Sequence, residues 1–154
     1  MRLLYIVQYF SFPDQPGGTR PYDLASSFVK KGIDVTIITS NKNNETSNKW
    51  EYQEKDGLKI HYLKCPYNNR MGTFQRLKAF CRFFVNATKK ALTLDYDLML
   101  ASSTPLTNGI PALICNKKKK LPYIFEVRDV WPSVPFAMGY FKNPIFRKLL
   151  YAFE

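Results

Sequence analysis

Two runs of continuous apolar residues, Leu3 to Val7 (LLYIV) and Val35 to Thr39 (VTIIT), flank a segment with helical spacing. A strand that is apolar on both sides must bury both faces, which is the demand of a parallel sheet covered by helices. The intervening helix is expected over Pro21 to Lys31. Thr19 is placed as N-cap, Asp23 lies in the first turn, Lys30-Lys31 in the last, and Gly32 stops it. Farther on, Leu58 to Leu63 alternates as an exposed or edge strand does, and Asp97 to Ala101 is the next strand. Helices are expected over Thr73 to Leu92 and, with Pro near its first turn, over Pro105 to Cys115. Lys117 to Lys120 make a charged connection to a last strand that ends at Val127. The polar stretch Asn41 to Asp56 reads as a long mobile loop, and the tail from Phe136 holds a helix beginning at Ile145. Strands alternating with helices in this way imply an α/β, doubly wound, mostly parallel sheet filling one domain over residues 1–154. The final helix, RKLLYAFE, has no cap, which reads as the first half of something larger.

Charge narrows the partners. With 23 Lys and Arg against 12 Asp and Glu the net charge is +11, which favours an anionic partner: nucleic acid, an acidic membrane surface or a phosphorylated substrate. Cys65, Cys81 and Cys115 are too scattered for a disulfide framework or a zinc site and suit a reducing cytosol. The apolar start breaks at Ser11-Phe12-Pro13 and lacks a signal-peptide cleavage site. No stretch reaches the ~18 apolar residues of a spanning helix. The expected protein is soluble or peripheral.

Four places offer chemistry. The last strand runs into Arg128-Asp129 and Trp131-Pro132, and ligands of open α/β sheets sit outside the carboxyl ends of strands. That pair is either a ligand site or a structural ion pair with the Trp packed over it. Gly17-Gly18-Thr19-Arg20 precedes a helix, where close backbone approach and free amides favour phosphate, although a bare Gly-Gly turn has no such requirement. It matches neither the dinucleotide fingerprint nor the P-loop. Ser102 and Ser103 end a strand and could meet sugar hydroxyls or phosphate, but helix capping is the commoner use of such residues. On the helix from Thr73 a wheel gathers Phe74, Leu77, Phe80, Cys81, Phe84, Val85, Ala91 and Leu92 in one arc. Lys78, Arg82, Asn86, Lys89 and Lys90 fall opposite. Such a helix serves equally as a membrane-surface element or as an ordinary packed helix. His61, the sole histidine, reads as a surface strand residue; neither a Ser–His nucleophile nor metal-ligand spacing is present.

Taken together these pieces carry a resemblance. The opening MRLLYIVQYFSFPDQPGGTRPYDLASSFVKKGIDVTIITS resembles the start of bacterial family-4 glycosyltransferases, with a first strand, a Gly-rich loop followed by Arg, a helix and an apolar strand. The later blocks DLMLASSTPL and LPYIFEVRDVWPSVPFAMGYFKN resemble the branch that builds colanic acid, capsule and O-antigen. The resemblance implies the N-terminal, acceptor-side, Rossmann-like half of a GT-B fold, whose C-terminal half binds the donor and is absent from these residues. It implies that Gly17 and Gly18, with Thr19 and Arg20, approach the donor diphosphate. Arg128 and Asp129 stand where many relatives carry a catalytic His-Asp pair, and Ser102, Ser103 and Trp131 would meet the acceptor. Lys78, Arg82, Lys89 and Lys90 would contact the membrane.

The expected activity is retaining transfer from a nucleotide-diphosphate sugar to a lipid-linked saccharide, with no cofactor and no bound metal. It would occur at the cytoplasmic face of a bacterial inner membrane, and the chain alone would be inactive without its donor-binding half or a companion chain. Two rivals stay open. One is a truncated, non-catalytic module that binds a membrane or a partner. The other is a basic nucleic-acid-binding domain, disfavoured because the aromatics lie on apolar faces rather than between Lys and Arg, so no nucleic acid is expected as partner.

Overall fold

The structure, a computed structural model, describes residues 1–41, 48–65, 71–103 and 105–128, with the side chains of 41 and 73 left aside. Six strands form one sheet: β1 (Arg2–Ile6), β2 (Asp34–Asn41), β3 (Trp50–Lys55), β4 (Leu58–Lys64), β5 (Leu98–Ser102) and β6 (Tyr123–Glu126). Among the described residues three α-helices cover it: α1 (Arg20–Lys30), α2 (Thr73–Thr93) and α3 (Gly109–Lys119). The order across the sheet is β3-β4-β2-β1-β5-β6, parallel throughout except for the antiparallel β3–β4 pair. The expected doubly wound sheet is therefore present.

Side-chain alternation along β1 explains its continuous apolar sequence. Leu3, Tyr5 and Val7 point to one layer, where they meet Val35, Ile37, Leu58, Ile60, Leu100 and Ala25 of α1. Leu4 and Ile6 point to the other, among Ile38, Leu63, Met99, Phe83 of α2 and Ala112 of α3. The chain leaves β1 through α1 for β2 on one side. It returns through α2 to β5 on the other side, so the strand order reverses between β1 and β5. That reversal opens a crevice at the carboxyl ends of these two strands.

The segment expected to be a long loop contains β3. Asp56 and Gly57 both take positive φ, 55° and 74°, as the favoured two-residue hairpin turns require, and fold β3 back on β4. A Cβ on Gly57 would come within 2.9 Å of Val29 Cγ1, a second reason for glycine there. Because β3 is the edge, β4 is an inner strand with Leu58, Ile60 and Leu63 fully buried, and not the edge that its alternation suggested. The third helix also shifts. Pro105 precedes a single 3-10 turn, Leu106–Asn108, and α3 begins only at Gly109. Lys117 to Lys119 form its last turn, where positive charge complements the helix dipole, and Lys120 ends it in the left-handed conformation. The helix expected in the tail lies outside the described residues.

His61 is half-buried, opposite Tyr52 of β3, with ring centroids 5.1 Å apart. Burial, and then the charge of Lys90, push its pKa down from 6.5 to about 4. The unfolded chain thus takes up the imidazole proton first. This group's contribution to stability is complete above pH 6.5 and is lost as pH falls from 6.5 towards about 4. Thermal melts across that window should show wild-type stability falling with acid, and His61→Gln should flatten the slope.

Candidate functional site at the carboxyl ends of the central strands

The loop after β1 is knitted by its own groups. Gln15 N–H donates to the Phe12 carbonyl (3.0 Å), and Ser11 Oγ donates to the Pro16 carbonyl (3.3 Å). Gly17 takes φ +139°, and a Cβ there would collide with Ser11 Oγ, so only glycine fits. Gly18 is different: nothing lies within 4 Å of where its Cβ would be. Next comes the N-terminus of α1, with Pro21 in its first turn. Thr19 holds the N-cap position, but its hydroxyl donates to Asp23 Oδ2 (3.0 Å) instead of receiving a helix amide.

Arg20, the first residue of α1, reaches across the end of β1 to form an ion pair with Glu126, the last residue of β6. The other carboxylate oxygen of Glu126 accepts the hydrogen bond of Ser102 Oγ at 2.6 Å. Its backbone carbonyl accepts the Ser103 N–H (2.8 Å), and Ser103 Oγ accepts the Arg128 N–H (2.7 Å). Burial pushes the Glu126 carboxyl up. The hydrogen bonds from Ser102 and Arg20, with the charges of Arg20 and Arg128, more than offset this, so its pKa lies below 4.5. Beneath it the Tyr5 phenol is raised, by burial and then by the Glu126 charge. At neutral pH the cluster is an ionised carboxylate holding a guanidinium over a neutral phenol.

The structure thus joins Arg20 with Ser102, Ser103 and Arg128 at one crevice, and Gly17 and Gly18 lie in the loop before it. Asp129 and Trp131 lie outside the described residues. Neither serine caps a helix, contrary to the capping use weighed above: the N-cap of α3 is Asn108, whose amide donates to the Ser102 carbonyl at 2.9 Å. Sequence reading missed Glu126. Glu126, like Arg128, is a charge where a strand ends, but its pairing with a residue 106 positions away is a product of the fold. Gln8, just past β1, was also missed; it is fully buried and neither side-chain amide atom has a hydrogen-bond partner.

The α2 residues stand apart from this cluster. Ala79, Phe83, Ala87 and Ala91 form its buried stripe, one per turn. Four members of the expected apolar arc, Phe74, Leu77, Cys81 and Val85, are exposed instead, on the same side as Lys78, Arg82 and Lys89. Lys90 is half-buried, its ammonium 5.8 Å from the centre of the Trp50 ring. Among the described residues no three His, Cys, Asp or Glu side chains converge as a metal site requires, and no helix is long and apolar enough to cross a membrane.

Comparison with solved structures confirms the fold. Sucrose-phosphate synthase from Thermosynechococcus elongatus superposes with a TM-score of 0.59 at 12% identity, over 93% of this chain and 36% of that one. The C-terminal domain of a hydrogenase from Pyrococcus furiosus superposes with a TM-score of 0.58 at 19% identity, over 81% of this chain and 89% of that one. At such identities the likeness is one of architecture. No curated protein sequence matches the chain. Residues 17–153, from the glycine loop through the crevice and beyond, match the glycosyl transferase 4-like domain, and the chain belongs to that family.

Proposed function

We propose that this chain is the acceptor-side half of a retaining glycosyltransferase that moves a sugar from a nucleotide-diphosphate donor to a lipid-linked saccharide in surface-polysaccharide synthesis. The observation that carries the reading is the crevice itself. The open Gly18 backbone, the free amides of the α1 N-terminus and the Arg20 guanidinium all stand at the reversal of strand order. Donors of this kind stabilise a diphosphate as negative charge develops on it during departure. Glu126 holds Arg20 in place, and Arg128 adds a second cation beside it. Positioning of the acceptor hydroxyl supplies the rest of the acceleration. Transfer would require a donor-binding half in addition to these residues.

The exposed stripe of α2 supports a membrane-surface setting. Phe74 is 80% exposed and Leu77 54%, with Lys78, Arg82 and Lys89 beside them. The helix ends at Thr93, just before the amino end of β5, so its first turns stand at the crevice edge of the sheet. Apolar side chains entering the interface, flanked by cations for anionic headgroups, would bring that crevice to a lipid-linked acceptor.

Three outcomes test the reading. Titrated calorimetrically with UDP- and GDP-sugars, the 154-residue chain alone should bind none appreciably; a Kd near ~1 μM, about −8 kcal/mol, would place donor recognition here instead. In an enzyme that includes a donor-binding half, Gly18→Ala should leave the melting temperature unchanged and lower kcat/KM about tenfold, ~1.4 kcal/mol. Gly17→Ala should also cost stability, about 1–3 kcal/mol, because its backbone is strained for any side chain. Full turnover in Gly18→Ala would remove the loop from the phosphate site. Finally, Lys78, Arg82 and Lys89 changed together to Gln should weaken sedimentation with anionic vesicles roughly a hundredfold, at ~1 kcal/mol per basic residue. Lys90→Gln should not, since that ammonium lies against Trp50.

A further inference from the structure

β5 ends in two successive hydroxyls, and both are already engaged. Ser102 and Ser103 are 0% and 3% exposed, so both lie buried beneath the cations of the crevice. Ser102 Oγ donates to Glu126 Oε2 at 2.6 Å, while Nη2 of Arg20 pairs with Oε1 of the same carboxylate. The Ser102 carbonyl accepts Asn108 Nδ2 at 2.9 Å, which ties this residue to the turn before α3. Glu126 is thus gripped through its side chain by Ser102 and through its carbonyl by the Ser103 N–H (2.8 Å).

Ser103 acts where the ladder stops. In the parallel register of β5 and β6, Met99 N–H reaches the Pro122 carbonyl and Ser103 N–H the Glu126 carbonyl. The next rung would carry the Arg128 N–H to the Ser103 carbonyl. It goes instead to Ser103 Oγ, at 2.7 Å. A side-chain oxygen has replaced the backbone acceptor, so the ladder ends at Arg128 with its amide satisfied. That bond fixes the backbone from which the Arg128 side chain departs. Two neighbouring hydroxyls therefore serve two different cations.

We propose that Ser102 and Ser103 are positioning residues for the anion site of the crevice: Ser102 aims Arg20 through Glu126, and Ser103 aims Arg128 through its backbone. They act on the ligand through the cations and do not meet it themselves. That ligand is a diphosphate, so the assignment rests on the crevice being the diphosphate site. It adds the part of the chain that sets the spacing of the two guanidinium groups. The phosphates of a diphosphate stand at a fixed separation, and cations from α1 and from the end of β6 match it only if their anchors are held together. A cation already in place also costs the ligand less to order.

The first measurement needs no ligand. NMR relaxation of the Arg20 Nε–H in the 154-residue chain should show order close to that of the backbone. Ser102→Ala should release it and Ser103→Ala should not. The second is a titration with inorganic pyrophosphate followed by phosphorus NMR. Each serine variant should weaken binding about fivefold, the scale of ordering one long side chain. Combined variants separate the two routes. Ser102→Ala should cost nothing further in Arg20→Gln, nor Ser103→Ala in Arg128→Gln, whereas the crossed pairs should add. Melting temperatures near wild type would show that each variant is folded. If Ser102→Ala is not, Glu126→Gln, which keeps the shape and loses the charge, takes its place. An Arg20 signal as mobile in the wild type as in Ser102→Ala overturns the inference. So do serine variants that bind pyrophosphate as the wild type does, or that couple equally to both arginines. If the wild type holds Arg20 rigid and binds no pyrophosphate, the diphosphate reading fails while the positioning of Arg20 by Ser102 stands.

Discussion

β1 has neither a free edge nor a free face. β2 and β5 pair with its two edges in parallel register, while α1 covers one face and α2 with α3 the other. The carboxyl end of such a strand is the one part of it that can meet solvent. Continuous burial therefore does two things at once. It contributes the apolar area that drives folding, and it fixes where the two flanking connections diverge. The loop that carries Gly17 and Gly18 goes to one face and the connection after β5 to the other. The gap between them is a consequence of winding direction, present whatever side chains line it.

Glu126 at first looks out of place in a crevice said to favour anions. Its partner Arg20 has a side chain 65% exposed, and ion pairs so open to water contribute about 0–1 kcal/mol to stability. The pair therefore does little to hold the fold. It does restrict the guanidinium, which on a long exposed side chain would otherwise sample many rotamers. Ser102 fixes the other carboxylate oxygen, so the anchor is held on two sides. With Arg20 and Arg128 against one carboxylate the local balance stays positive, and an arriving phosphate would meet a guanidinium already oriented. Positioning, rather than stabilisation, is the physical role the geometry supports for Glu126.

How legible was this from sequence? The buried strands were, because LLYIV and VTIIT have no alternative to double-sided burial. β3 was not, because WEYQEK carries the polar residues that an edge strand tolerates; the Asp56-Gly57 dipeptide was the available sign and it is a local one. The wheel of α2 misled for a different reason. Large residues such as Phe74 and Leu77, which stay outside, drew its arc away from the face that packs on the sheet, so it held Ala91 but not Ala79, Phe83 or Ala87. Arg20 was visible as a residue beside a glycine turn, but its contact with Glu126 joins the first helix to the last described strand, and no local pattern encodes that.

The net charge also means less in sum than in place. Lys30, Lys90 and Lys117 to Lys119 sit in the last turns of three helices, where a cation complements the dipole. Arg2, Lys55 and Lys59 pair with Asp97, Asp14 and Asp34. These cations of the described residues therefore answer local demands spread around the molecule. Few cations stand at the crevice or beside the exposed apolar residues of α2. Arg20 and Arg128 are at the crevice, and Lys78, Arg82 and Lys89 flank the exposed apolar stripe of α2.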